Sequence, residues 1–180
     1  VNTFSIKKIL EIYPNSRMIF ISTDAVFPDR NFLAKESLLT NPINIYGRSK
    51  EKAEKFISKD QHLIIRTTIV GLNSNKLKQS FVEWVLSSLA KNQKLNLYED
   101  VFFTPITIWD LGTQIQKVLE KNINGLFHIA GKTPISKFEF GIELCRALNF
   151  NEKNIIKTKI NNTNSFVKRS KNQTLDSSFY

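Results

Sequence analysis

Met18-Ile19-Phe20-Ile21-Ser22-Thr23-Asp24 is the stretch on which the reading of this chain turns. An unbroken apolar run ends abruptly in two hydroxyl side chains and an acid. It is too short for an ordinary helix and apolar on both faces, as is a strand buried inside a parallel sheet. Two further runs share this character: Leu63-Ile64-Ile65, ending near Arg66-Thr67, and Leu126-Phe127-His128-Ile129-Ala130, closed by Gly131. Helical spacing fills the intervals. Residues 4–13 place Ile6, Ile9, Leu10 and Tyr13 on one face and stop at Pro14-Asn15. Residues 45–58 carry Tyr46, Lys50, Ala53, Glu54 and Ile57 in step. Residues 81–90 repeat Phe81, Val85, Leu86 and Leu89. A helix over 110–119 starts from Asp110 as its cap, and one over 136–148 starts from Ser136 with Glu139 at capping-box spacing. Strands alternating with helices predict an α/β fold with right-handed crossovers. Past Phe150 only residues 155–160 look strand-like, and the segment from Asn161 reads as loop or disorder.

Composition narrows the function classes. The chain has 180 residues, 41% hydrophobic, enough for one domain or one domain with a small lobe. It contains no apolar run of membrane-spanning length and no signal-peptide pattern. A single cysteine, Cys145, makes no intrachain disulfide, and no Cys, His, Asp or Glu set has metal-site spacing, so a cytoplasmic protein without a metal is expected. Net charge is +10, yet the 20 lysines are scattered, with only Lys168, Arg169 and Lys171 clustered, so no nucleic-acid partner is expected. Cys145, Trp84 and Trp109 are expected to pack, and His62 and His128 to have no catalytic part.

The chemistry gathers at the end of the first strand. Tyr46 and Lys50 share one face of a helix by their i,i+4 spacing. Ser22 and Thr23 stand where the strand ends, and open α/β sheets bind ligands outside the carboxyl ends of their strands. Ketone reduction by hydride wants these groups. A Tyr with its pKa near ~10 is a usable acid at neutral pH, and a neighbouring ammonium would lower that pKa. A Thr hydroxyl can polarise the carbonyl. The hydride itself has to come from a nicotinamide.

Longer stretches carry a family resemblance: Phe20 to Phe27, Lys35-Glu36, Asn41 to Lys50 with Glu54, Arg66 to Gly71, Phe103-Thr104-Pro105-Ile106 with Asp110-Leu111, Gly125 to Gly131, and Asn172 to Asp176. Together they resemble the dTDP-4-dehydrorhamnose reductases and related sugar-nucleotide-binding proteins, a branch of the extended short-chain dehydrogenase/reductases. The resemblance implies a partial Rossmann-like parallel sheet, its C-terminal half, with a small substrate lobe. Residues 1–71 and 109–130 would belong to the sheet, and 72–108 with 131–180 to the lobe. It implies catalytic Thr23, Tyr46 and Lys50. Ser22, Tyr46, Lys50 and Thr67 would face an NADP or NAD cofactor. Thr23, Ile69 and Arg169 would face a nucleotide sugar, Arg169 through its diphosphate. A product for polysaccharide synthesis follows, and the resemblance leaves room for a homodimer.

The sequence also departs from that family. None of its six glycines forms G-x-G-x-x-G, and the first is Gly47. The match begins mid-Rossmann, so an N-terminally truncated reductase is expected, one that by itself binds the cofactor weakly or not at all and is inactive. Ile69 stands where relatives usually carry an aromatic residue, and Arg169-Ser170 where they have Arg-Pro. A sugar-nucleotide epimerase or dehydratase with the same triad, and a non-catalytic regulatory relative, remain alternatives.

Overall fold

The computed structural model describes residues 2–29, 33–75, 78–160 and 170–178. In chain order the elements are α1 (Asn2–Ile12), β1 (Ile19–Thr23), a 3-10 turn (Asp24–Val26), α2 (Ile45–Glu54), β2 (Leu63–Thr67) and β3 (Ile69–Val70). They continue with α3 (Phe81–Ala90), β4 (Leu95–Tyr98), β5 (Phe102–Phe103), β6 (Ile106–Thr107), α4 (Ile108–Glu120) and β7 (Gly125–His128). The chain ends with β8 (Ile135–Ser136), α5 (Lys137–Ala147), a second 3-10 turn (Glu152–Asn154), β9 (Ile155–Thr158) and β10 (Asn172–Gln173).

The three apolar runs form one parallel sheet in the order β1-β2-β7, and α/β is the fold class observed. Period-two alternation divides its side chains between two faces. Phe20 and Ile64 pack with Ala53 of α2 and with Ile57 just past its end, with Ile6 and Leu10 of α1 against them. On the other face Leu63, Ile65 and Phe127 pack with Leu111 and Val118 of α4. A separate core joins Val85 and Leu89 of α3, Leu95 and Leu97 of β4, Cys145 of α5 and Ile155 of β9, so Cys145 packs as expected. Part of the apolar face of α1 meets solvent: Phe4, Ile9 and Ile12 are exposed, as is Tyr13 just past the helix.

Caps explain several boundaries. Ser80 and Ser136 each form a reciprocal capping box, with Glu83 and Glu139 respectively. The cap of α4 is Thr107 rather than Asp110. Thr107 Oγ1 accepts from the Asp110 amide at 3.1 Å and donates to Asp110 Oδ2 at 2.7 Å, so the acid sits inside the first turn, where the helix dipole favours it. Just past the ends of α3, α4 and α5, Asn92, Asn122 and Asn149 have φ of 53°, 52° and 57°, the left-handed turn that Asn tolerates better than most side chains.

Two expectations need correcting. Trp109 is 83% exposed rather than packed. The segment 170–178 is built into the fold rather than loose: β10 pairs with β5, Leu175 bridges to Ala34, and Leu175 is 1% exposed. Asp29 Oδ1 secures its start, accepting from Ser170 Oγ and from the Lys171 and Asn172 amides. Residues 161–169, with Lys168 and Arg169, lie outside the described residues. Among the described residues no helix is long and apolar enough to cross a membrane.

Candidate active site

β1 ends at Thr23, whose hydroxyl caps the 3-10 turn by accepting the Ala25 amide at 3.2 Å. That turn carries Asp24 inward, to 8% exposure. Asp24 Oδ1 lies 2.8 Å from Thr23 Oγ1, and Oδ2 accepts the Thr68 hydroxyl at 2.7 Å. Burial raises the Asp24 pKa above the ordinary carboxylate range. The Thr68 and Thr23 hydrogen bonds and the charge of Lys137 oppose that rise.

Across from this turn stands the start of α2. Asn44 caps it, accepting the Gly47 amide at 2.8 Å. Gly47 allows the approach: a Cβ there would lie 2.1 Å from the Ala25 carbonyl oxygen and 2.8 Å from Pro42 Cβ. The helix therefore abuts the turn after β1, and the neighbouring residue, Tyr46, brings its phenol to the Thr23 side chain. We expect Gly47→Ala to push α2 from the turn and cost about 1–3 kcal/mol of stability, as overpacking does, measured by urea unfolding.

Tyr46 is 53% exposed, and its pKa is raised rather than lowered. Partial burial is the main cause and the charge of Asp24 adds to it, against the Thr23 hydrogen bond. The lowering expected from Lys50 gives way because that ammonium is turned to the Ile21 carbonyl at 2.8 Å, over the Phe20 ring. Lys50 itself has its pKa lowered by desolvation, with Glu54 opposing.

The other sequence-predicted residues divide. Thr67 pairs in register with Thr23, is 4% exposed, and its hydroxyl is one of the buried polar groups without a hydrogen-bond partner among the described residues. The Ser22 hydroxyl donates to Glu54 Oε1 at 2.5 Å, beside the buried Glu54–Arg66 pair. Ile69 lines a cavity of about 200 Å³ with Gly71, Phe81 and Ile108. Arg169, as noted, is not among the described residues. Among them no cluster of His, Cys, Asp or Glu could hold a metal ion. His128 is a core residue, fully buried, with Nδ1 at 3.0 Å from the Ala34 carbonyl and 3.1 Å from that of Asp176.

A larger cavity, about 870 Å³, opens beside the site through Asn44 and Lys137, and Phe81, Trp84, Tyr98 and Gln173 also line it. Lys137 Nζ lies 3.2 Å from the centroid of the Phe103 ring and 4.5 Å from that of Phe81. Sequence reasoning missed Lys137 and Thr68. A signal existed for Lys137, the first helical residue after the capping-box serine.

Comparison with known proteins bears on the family and the fold. The profile described as RmlD substrate binding domain matches residues 12–179. The probable low-salt glycan biosynthesis reductase Agl14 of Haloferax volcanii is 30% identical over 138 residues, 72% of this chain and 45% of that protein. Methionine adenosyltransferase 2 subunit beta of Bos taurus is 25% identical, over 73% of this chain and 42% of that protein. The chain thus spans less than half the length of these relatives. The crystal structure of a hypothetical dTDP-4-dehydrorhamnose reductase from Sulfolobus tokodaii superposes with TM-score 0.87 at 29% identity, over 99% of this chain and 63% of that one. A dTDP-4-dehydrorhamnose reductase from Bacillus anthracis, solved in complex with NADP, shares the fold with TM-score 0.88 at 24% identity, over 99% and 64% of the two chains. With nearly its whole length matched, the chain belongs to the RmlD substrate binding domain family.

Proposed function

We propose that Thr23, Tyr46 and Lys50 serve the NADPH- or NADH-dependent reduction of a 4-keto sugar nucleotide, of the kind named in the dTDP-4-dehydrorhamnose reductases. The observation that carries this reading is the meeting of the Tyr46 phenol with Thr23 at the end of β1, beside the 870 Å³ cavity. The residues present fit the reactive half of a nicotinamide cofactor. Thr67 offers a buried hydroxyl without a partner among the described residues, and Lys50 a half-buried ammonium one helical turn from Tyr46. These two would hold it, and when bound it supplies the hydride that no side chain can.

The chain's own groups do the rest. Thr23 orients the substrate carbonyl and polarises it. Tyr46, kept as the neutral phenol by its raised pKa, gives its proton to the carbonyl oxygen as the bond to carbon is reduced. Lys50, whose ammonium donates to the Ile21 carbonyl in this structure, stabilises the phenolate left behind by turning from that carbonyl toward it. The large cavity receives the nucleotide sugar, with Phe81, Trp84 and Tyr98 as apolar walls. In this reading residues 1–71 and 109–130 form the catalytic sheet and 72–108 with 131–180 the substrate lobe, and the product goes on to polysaccharide synthesis.

The test is NADPH absorbance with a dTDP-4-keto-6-deoxy sugar, on the protein encoded by the full reading frame. Oxidation that depends on the sugar supports the reading. No oxidation with any keto-sugar nucleotide, despite confirmed cofactor binding, overturns it. Conversion without net NADPH use, on tightly retained NAD⁺, points to an epimerase or dehydratase. A second reading, a non-catalytic subunit, draws on the likeness to methionine adenosyltransferase 2 subunit beta, and predicts no turnover in either assay.

A further inference from the structure

The hydrogen bonds around Thr23 bear on the acid beside it. A threonine hydroxyl has one proton and two lone pairs, and an ionised carboxylate can only accept. At Thr23 Oγ1 one lone pair takes the Ala25 amide proton, Asp24 Oδ1 lies 2.8 Å away, and the Tyr46 phenol is the third neighbour. Asp24 Oδ2 is already engaged by the Thr68 hydroxyl. If Asp24 is ionised, the single proton of Thr23 is drawn to Oδ1. The hydroxyl is then an acceptor on its open side and cannot donate to a carbonyl oxygen. If Asp24 is a neutral acid, Oδ1–H donates to Thr23 and the threonine proton turns outward.

We propose that Asp24 works as a neutral carboxylic acid, a positioning residue whose Oδ1 proton turns the Thr23 hydroxyl outward as the donor to the substrate carbonyl. This rests on the reductase reading of Thr23 given above. Among the described residues, two titratable groups face Asp24. Lys137, from α5, favours the ionised form, and Tyr46, from α2, disfavours it once it has become phenolate. Burial is the largest influence on Asp24 and raises its pKa above the ordinary carboxylate range. A neutral Asp24 also helps the next step. Its charge is among the causes that raise the Tyr46 pKa, so removing that charge eases phenolate formation when Tyr46 gives up its proton.

Asp24→Asn and Asp24→Ala separate the possibilities. Asparagine matches the neutral acid, with an N–H for Thr23 and a carbonyl oxygen for Thr68, whereas alanine offers neither. In the protein from the full reading frame, Asp24→Ala lowers kcat for keto-sugar reduction about 10²-fold, the size of a lost polarising donor. Asp24→Asn recovers most of that loss. It also removes the alkaline fall in kcat that the unsubstituted protein shows as pH rises through the Asp24 pKa. Infrared spectra read the protonation state without any assay: the unsubstituted protein shows a protonated-carboxyl C=O band at neutral pH that Asp24→Asn lacks. An ionised Asp24 at neutral pH, or Asp24→Asn as impaired as Asp24→Ala, overturns the proposal. The band without any hydride transfer supports the protonation assignment and overturns the reductase reading instead.

Discussion

Tyr46→Phe in the protein from the full reading frame loses about 10²–10⁴-fold in kcat for keto-sugar reduction, the range expected for removing a general acid. The substitution deletes one oxygen from a side chain that is 53% exposed and leaves the helix unchanged, so folding and cofactor affinity stay close to those of the parent. The loss falls on kcat rather than KM, because the proton is needed only as negative charge develops on the carbonyl oxygen. The raised pKa of Tyr46 also sets the pH dependence. The phenol persists to pH values above its ordinary range, so an alkaline limb due to Tyr46 lies above about 10. Steady-state kinetics across pH checks both points. A Tyr46→Phe protein within a few-fold of the parent removes Tyr46 from the role of acid.

Glu54→Ala produces the largest loss of stability, about 3–5 kcal/mol by urea unfolding. Glu54 lies on α2, and its carboxylate takes the Arg66 fork side-on, Nε to Oε1 at 3.0 Å and Nη2 to Oε2 at 2.6 Å. Arg66 is 5% exposed, packs over the Phe27 ring at 4.9 Å, and has Nη1 without a partner among the described residues. Removing the carboxylate leaves that guanidinium buried without its counter-charge, and strips the Ser22 hydroxyl of its acceptor. A double variant, Glu54→Met with Arg66→Met, is predicted to recover much of the loss, because a buried ion pair replaced by apolar groups of similar size is often neutral. If the double variant is as unstable as Glu54→Ala, the uncompensated charge is not the cause. Glu54 shares its helix with Tyr46 and Lys50, so the pair also holds the helix that carries them against the sheet.

Several elements of this arrangement were legible in the sequence for physical reasons that can be named. The strands β1, β2 and β7 are short runs apolar on both faces, and α3 has the residue range its spacing predicts, Phe81–Ala90. β4 escaped notice because Leu95-Asn96-Leu97-Tyr98 alternates and so lacks the continuous apolar run sought elsewhere. β3, β5, β6, β8 and β10 span two residues each, too few for any period to register. At the site, Ser22 and Thr23 both stand out by their place at a strand end, Thr23 expected at the substrate and Ser22 at the cofactor. Successive strand residues point to opposite faces, so the two neighbours meet different surroundings, and the Ser22 hydroxyl meets Glu54. The spacing of Tyr46, Lys50 and Glu54 along α2 could have sent Ser22 to Glu54. The Lys50 contact was not legible, since Tyr-x-x-x-Lys spacing fixes a shared helix face but not which oxygen the ammonium meets.

The most direct measurement is isotope transfer: the protein from the full reading frame, incubated with NADPH deuterated at the reactive carbon and a dTDP-4-keto-6-deoxy sugar, with the product examined by NMR. Deuterium at the former carbonyl carbon, formed in proportion to cofactor oxidised, is the predicted result. An unlabelled product, or no product with cofactor demonstrably bound, would contradict hydride transfer at this site.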